Sequence, residues 1–171
     1  INGETGKVVP FGRKDNGGDL VETAFLTSGI LMVHEYFKDG NAEEKALAQK
    51  CDELWKGIEW NWYTKGGEKV LYWHWSPEYQ WEMNFPLQGY NECLITYILA
   101  ASSPTHAIDA ETYYQGWTRN GTYLTDKSKY GLPLYVKHNY SEEYGGPLFW
   151  AHYSYIGLDP TGLSDKLIKR S

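Results

Sequence analysis

The spacing of apolar positions divides the chain into helical hairpins and one stretch of a different period. From 19 to about 38, Leu20, Ala24, Ile30, Leu31 and Phe37 recur at helical spacing, and Asp19 stands where a helix N-cap is wanted. Asp39-Gly40 ends the run. Asn41 then caps a second helix, and Glu44, three residues on, completes a capping box. The predicted core stripe of this helix is Leu47, Cys51, Leu54, Trp55 and Ile58. A short connection between the two predicts an antiparallel helical hairpin.

From Trp60 the period becomes an alternation. Trp60-Asn61-Trp62-Tyr63, then Gly66-Gly67, then Val70-Leu71-Tyr72-Trp73-His74-Trp75 predicts a small β-hairpin over 60–75. Ser76-Pro77 stops it, and 78–88 reads as a loop. A third helix is expected over about 89–102, apolar on most sides and therefore buried. It ends at Ser103-Pro104, because the residue before proline avoids the helical region. A fourth helix is expected over about 107–118, carrying Tyr113, Tyr114 and Trp117. A short strand near 131–137, an aromatic segment from Pro147 to Tyr155 and a short polar tail after Asp159-Pro160 follow. The fold class is all-α, helical hairpins with a small β-hairpin near 60–75. Hairpins laid side by side make bundles, solenoids or closed toroids.

With 171 residues the chain is read as a single domain, long enough to bury a sizeable core. Its 8 Trp and 15 Tyr bring the aromatic share to 16%. Large rings with polar edges fit clefts and interfaces as well as cores, although most of these rings are expected in the core. A net charge of −6 without a basic stripe excludes nucleic acid and anionic membrane surfaces as partners. No apolar run reaches the ~18 residues of a membrane-spanning helix, and no signal peptide is present. The chain begins Ile1-Asn2-Gly3 without Met, so a processed or excised piece is expected, with any targeting segment upstream. Cys51 and Cys93 fall on apolar stripes and are read as buried free thiols, a single disulfide being the alternative. His34, His74, His106, His138 and His152 are too scattered for a metal site, and no cofactor is expected.

The candidate chemistry lies in the acids and the rings. Asp15, Asp19 and Glu22 fall within eight residues, and Glu92 stands in Gly89-Tyr90-Asn91-Glu92. Asp19 and Glu22, three apart at a helix start, share a face. Asp15 precedes the Asn16-Gly17-Gly18 turn and can fold back to the same place. Crowded carboxylates cannot all ionise cheaply, so one is expected to titrate high and serve as an acid. The bland alternative is that acids in a first helical turn only cap the helix and favour its dipole. Glu92 is expected in the first turn of the third helix, where the dipole favours its ionised form. That suits a base or a transition-state stabiliser. On a strand, Trp73 and Trp75 share one face and His74 takes the other. They then form either a platform for sugar rings with His74 as a hydroxyl partner, or a lid on the core with His74 in solvent. Trp60 and Trp62 share a face by the same rule and build an opposite wall. Asn91 beside Glu92, with Tyr113 and Trp117 of the fourth helix, completes the candidate substrate contacts.

At Gly17-Gly18-Asp19-Leu20-Val21-Glu22-Thr23-Ala24, Trp73-His74-Trp75-Ser76-Pro77, Gly89-Tyr90-Asn91-Glu92, Ala100-Ala101-Ser102-Ser103-Pro104-Thr105-His106 and Gly146-Pro147-Leu148-Phe149-Trp150-Ala151-His152-Tyr153-Ser154, the chain resembles the bacterial glucoamylase-like proteins, a family that includes endo-β-1,2-glucanases. The resemblance covers roughly residues 1–165. It implies part of an (α/α)₆ toroid, with a cleft where loops and helix N-termini gather, and inverting hydrolysis of a glucan. It also implies that Asp15, Asp19, Glu22 and Glu92 match the family's functional acids. Six helical hairpins need on the order of 300–400 residues. The chain is therefore expected to be an internal piece of a larger domain, inactive by itself, whose exposed apolar helix faces associate with another copy or with further segments of the same domain. A periplasmic or secreted location is expected. Two readings stand: a glycoside hydrolase acting on a glucan or oligosaccharide, or a non-catalytic carbohydrate-binding or structural helical module. Binding needs the rings, whereas cleavage needs the acids.

Overall fold

The computed structural model describes residues 1–138 and 146–167. It is mostly helical, with two small antiparallel strand pairs. Helix α1 runs Leu20–Phe37 and α2 runs Ala42–Lys56. Both begin where the sequence places their caps. The Asp19 carboxylate accepts from the Val21 and Glu22 N–H groups. Asn41 accepts from Glu43 and Glu44, while the Glu44 side chain accepts from the Asn41 N–H, closing the capping box. The two helices pack along each other, and α1 also meets α3, Leu94–Ser102.

The stripe of α2 differs from the prediction. Leu47 and Leu54 are exposed, and the buried positions are Ala48, Cys51 and Trp55. A small residue at 48 lets α2 lie close against its neighbour. On α1, Leu20, Val21, Ala24 and Thr27 are buried, while Ile30, Leu31 and Phe37 are only half-buried.

The stretch from 60 to 75 corrects the predicted hairpin in one respect. It doubles back where expected, at Gly66 and Gly67, whose φ values of 89° and 103° suit glycine, and the Tyr72 N–H donates to the Tyr63 carbonyl. Its first limb, however, is a 3₁₀ turn, Trp60–Thr64. That turn drives Trp60 fully into the core against Trp55 and leaves Trp62 half exposed, so the two rings do not share a face. The extended limb finds other partners. Residues 71–73 bond to 85–87, within the stretch read as a loop, through Trp73 N–H to Phe85 O and Leu87 N–H to Leu71 O. Strand β2, His74–Trp75, pairs antiparallel with β1, Gly18–Asp19, in the register Gly18↔Trp75 and Asp19↔His74.

Helix α3 starts five residues later than expected, after a turn at 91–93. The fourth predicted helix is a π-type turn, Thr112–Trp117. The strand expected near 131–137 is instead a short pair, β3 Ser128–Lys129 with β4 Leu132–Pro133. The aromatic segment forms α4, Leu148–His152, followed by a 3₁₀ turn, Tyr153–Ile156. Residues 168–171 of the polar tail lie outside the described residues. The core gathers Leu20, Trp60, Leu71, Tyr97 and Trp117. Tyr97 knits it: its hydroxyl accepts from the Leu71 N–H and donates to the Leu87 carbonyl, tying the 71–87 pairing to α3. Cys51 and Cys93 are both buried free thiols. Among the described residues, no helix is long and apolar enough to cross a membrane.

Candidate active site

The starts of α1 and α3 bring the predicted acids to one end of the fold. Asp19 is committed there. One oxygen accepts from the Val21 and Glu22 N–H groups at 2.8 and 3.0 Å, and the other accepts from the Trp73 indole N–H at 2.8 Å. The Leu20 N–H donates to the Trp73 carbonyl at 2.9 Å. Asp19 therefore holds Trp73 as firmly as it caps α1. Glu22 is exposed in the first turn of α1.

Glu92 lies in the turn before α3, half-buried, and its Oε2 is enclosed without a hydrogen-bond partner among the described residues. Burial pushes its pKa up, and the Glu22 carboxylate pushes in the same direction. The expectation placed Glu92 in the first turn of the helix, with the dipole favouring its charged form; its surroundings instead shift it toward the neutral form. The residue stands outside the helical turn whose dipole was invoked, and desolvation prevails. Beside it, burial drives the Cys93 thiol well up, with Glu92 and Asp19 adding to the effect. Glu22, Asp19 and Glu92 thus share one electrostatic neighbourhood.

Asp15 reaches the same end through its loop. Its Oδ1 lies 3.3 Å from His74 Nε2. The Gly17 N–H approaches that same nitrogen at 3.2 Å, and His74 Nδ1 is buried without a hydrogen-bond partner among the described residues. A side chain at Gly17 would collide with the Trp75 carbonyl, and one at Gly18 with the Tyr63 hydroxyl. The two glycines let the acid-bearing loop lie flat on β2.

Trp73, His74 and Trp75 alternate as a strand requires. His74 points inward and is 1% exposed, while both tryptophans are half-buried. Trp75 meets Trp62 edge to face at 5.8 Å, and Trp62 leans on Trp81 at 6.2 Å. An open cleft of about 440 Å³ lies here, lined by Gly18, Thr23, Ile58, Trp62, Tyr63 and Trp75. Burial pushes the Tyr63 hydroxyl up to about 12, with Asp19 adding to it.

Four candidate contacts are closed off from that cleft. Trp60 and Trp117 are core residues, 0% and 1% exposed. His74 is buried under the acid loop, and Asn91 is buried with its Oδ1 accepting from the Cys93 N–H. Each was read from local spacing, which does not show which side of an element the core takes. Tyr113 lines a separate cavity of about 260 Å³ with Tyr97, Tyr114 and Trp117, and donates to Asp165 at 2.6 Å. Sequence reasoning passed over Tyr63, although it stands in the aromatic run. It also passed over Trp81, which lay in a presumed loop, and Ser154, for which no local signal exists. Among the described residues, no group of three or more His, Cys, Asp and Glu is placed to hold a metal ion.

Residues 84–170 match the family model named Glycoamylase, described as "Putative glucoamylase". The chain is 45% identical over 181 residues to the exo β-1,2-glucooligosaccharide sophorohydrolase (non-reducing end) of Parabacteroides distasonis, an alignment covering 97% of this chain and 25% of that protein. It superposes with a TM-score of 0.93 and 60% identity on the endo-β-1,2-glucanase of Chitinophaga pinensis, solved with sophorotriose and glucose. That match covers 98% of this chain and 40% of the glucanase. A β-1,2-glucanase from P. distasonis gives a TM-score of 0.88 at 44% identity, covering 98% of this chain and 26% of that one. The chain thus spans a quarter to two fifths of the length of these relatives.

Proposed function

Because the chain belongs to the glucoamylase-like family, we propose that the protein carrying it is a glycoside hydrolase that cleaves β-1,2-linked glucan with inversion at the anomeric carbon. The observation that carries the reading is the pair formed by Glu92 and Glu22. Glu92 sits half-buried with a raised pKa and an unpartnered oxygen, and an exposed carboxylate from another helix start contributes to that shift. A carboxyl group whose surroundings favour its protonated form suits a general acid. Glu92 is the acid that protonates the departing glycosidic oxygen. Glu22, exposed and in the first turn of α1, is the base that takes a proton from the attacking water. Inverting enzymes set the two carboxyl groups roughly 6.5–9.5 Å apart to admit that water. Asp19 acts by holding Trp73 and the start of α1, and Asp15 by its place beside His74. The sugar rings lie on Trp62 and Trp75, with the Tyr63 hydroxyl as a donor to a sugar oxygen.

The relatives' names support the β-1,2 linkage. A polymeric glucan does not cross a membrane unaided, which supports a periplasmic or secreted location; cell fractionation checks it. The chain itself is proposed to be an internal part of the catalytic domain. The test is reducing-end release from linear β-1,2-glucan by the full encoded protein, with the product anomer followed by NMR. Glu92→Gln is expected to lower kcat by about 10²–10⁴-fold, the range of a lost general acid, with little change in KM. Near-wild-type turnover by that variant refutes the assignment. A protein that binds the glucan but never cleaves it is a carbohydrate-binding module.

A further inference from the structure

The block Gly146–Ser154 stands out in the sequence, yet none of its residues carries an acid or lines the Trp62–Trp75 cleft. Its last residue, however, reaches the start of α3. The Ser154 hydroxyl accepts from the Ile95 N–H at 3.1 Å and donates to the Glu92 carbonyl at 2.6 Å, and the residue is 3% exposed. Helix α3 needs such a partner. Cys93 occupies its N-cap without a side-chain cap, so the Ile95 N–H would otherwise be an orphan in the interior. Ser154 caps the helix from some sixty residues away. In the same motion it grips the peptide of the acid. The neighbouring residue is held as well, by the Tyr155 and Tyr90 hydroxyls at 2.6 Å.

The other side of this turn rests on α1. Tyr153 meets Phe25 edge to face at 5.7 Å, and the Gly157 backbone lies so close to Ser28 that a side chain at 157 would strike its hydroxyl. The 3₁₀ turn Tyr153–Ile156 therefore sits between α1, whose first turn carries Glu22, and α3, which Glu92 immediately precedes. We propose that this turn is the spacer that sets Glu92 against Glu22, with Ser154 as the positioning residue that fixes the acid's backbone. The inference rests on the reading of Glu92 as the acid, and it adds a role for a family block that the acids and rings leave unused.

The titratable groups that interact with Glu92 are Glu22 of α1 and the Cys93 thiol. None of the residues that touch Ser154 through hydrogen bonds is titratable at its contact atom, since both partners are backbone groups. A change in the titration of Glu92 on altering Ser154 must then come from a shift in the position or solvation of the acid.

The experiment uses the full encoded protein on linear β-1,2-glucan. Ser154→Ala removes both bonds, and Ser154→Cys keeps the volume but donates weakly. With folding checked by circular dichroism and thermal melting, Ser154→Ala is expected to lower kcat by about 10- to 100-fold, the cost of an ångström-scale misplacement, with KM within a few-fold. A general acid is active when protonated, so activity falls as pH rises through its pKa. Admitting water to Glu92 lowers that pKa, and the alkaline limb of the kcat profile is expected to move to lower pH. Ser154→Cys should show the same shift in lesser degree. If Ser154→Ala does not fold, Ser154→Cys decides. Wild-type kcat and an unmoved alkaline limb in the folded variant overturn the proposal. So does a fall in kcat with the limb unmoved, which marks a merely structural role. Glu92→Gln is run alongside: if it stays active, the reading of the acid has failed, whereas if it is dead and the Ser154 variants are normal, only the spacer has failed.

Discussion

Asp19 shows how one residue is divided between a helix cap and a ring. Its two oxygens satisfy two backbone donors and one indole. Asp19→Ala is expected to cost roughly 1–2 kcal/mol from the lost cap alone, measured as a lower urea midpoint. Asp19→Asn turns an amide toward either the Trp73 N–H or the helix start, so it should lose part of that stability and free the Trp73 ring. Glu92 works in the opposite sense. Its folded pKa is raised, so the folded state holds the proton more tightly than the unfolded chain does. Stability then falls as pH rises from the ordinary glutamate range through the folded value. Glu92→Gln is therefore expected to be more stable than wild type at pH 7, with the difference vanishing toward pH 4. Urea midpoints at the two pH values check this; a variant less stable at pH 7 contradicts it. A carboxyl that costs stability where it sits is the usual mark of a site kept for chemistry.

At the scale of elements, each helix start is solved differently. The α2 start is solved locally, by the Asn41–Glu44 capping box, and Asn41→Ala should cost about 1 kcal/mol, seen as a lower thermal midpoint with unchanged far-UV signal. The α1 start is solved by Asp19, half locally and half through Trp73. The α3 start is solved by Asn91 at the Cys93 N–H and by a distant hydroxyl, that of Ser154, at the Ile95 N–H. This gradient tracks legibility. The capping box and Asp19 could be read from neighbouring residues. The late start of α3 could not, because Ser154, which takes the Ile95 N–H there, lies far along the chain. The β-hairpin shows the same limit. Alternation announced a strand at 70–75, and Gly66-Gly67 announced the reversal. The strand's partners, 85–87 and Gly18–Asp19, were chosen by tertiary packing.

For the whole molecule, the exposed apolar residues of the first hairpin matter most. Leu26 and Tyr36 on α1 are 64% and 81% exposed, and Leu54 on α2 is 60% exposed. Unpartnered apolar faces of this kind drive association. The 171-residue chain expressed by itself is expected to sediment as species larger than one copy, and a monodisperse monomer would contradict that. The same isolated chain is expected to release little reducing sugar from β-1,2-glucan, since it spans only a quarter to two fifths of the relatives' length. Brisk hydrolysis would mean that the whole catalytic apparatus lies within these residues.

The sequence alone determined the features whose causes are close together along the chain. The caps at Asp19 and Asn41, the α1–α2 hairpin, the alternation of His74 with Trp73 and Trp75, and the family blocks all follow from neighbouring residues. Only the tertiary structure decided which rings are core and which meet solvent. Trp60 and Trp117 went inside, while Trp62 and Trp75 stayed at the surface. It also decided how Glu92 titrates. The physical reason is that burial is a property of the surroundings. The Glu22 charge that adds to the rise at Glu92 comes from α1, and the hydroxyl that holds its peptide comes from Ser154; neither is adjacent to it in sequence.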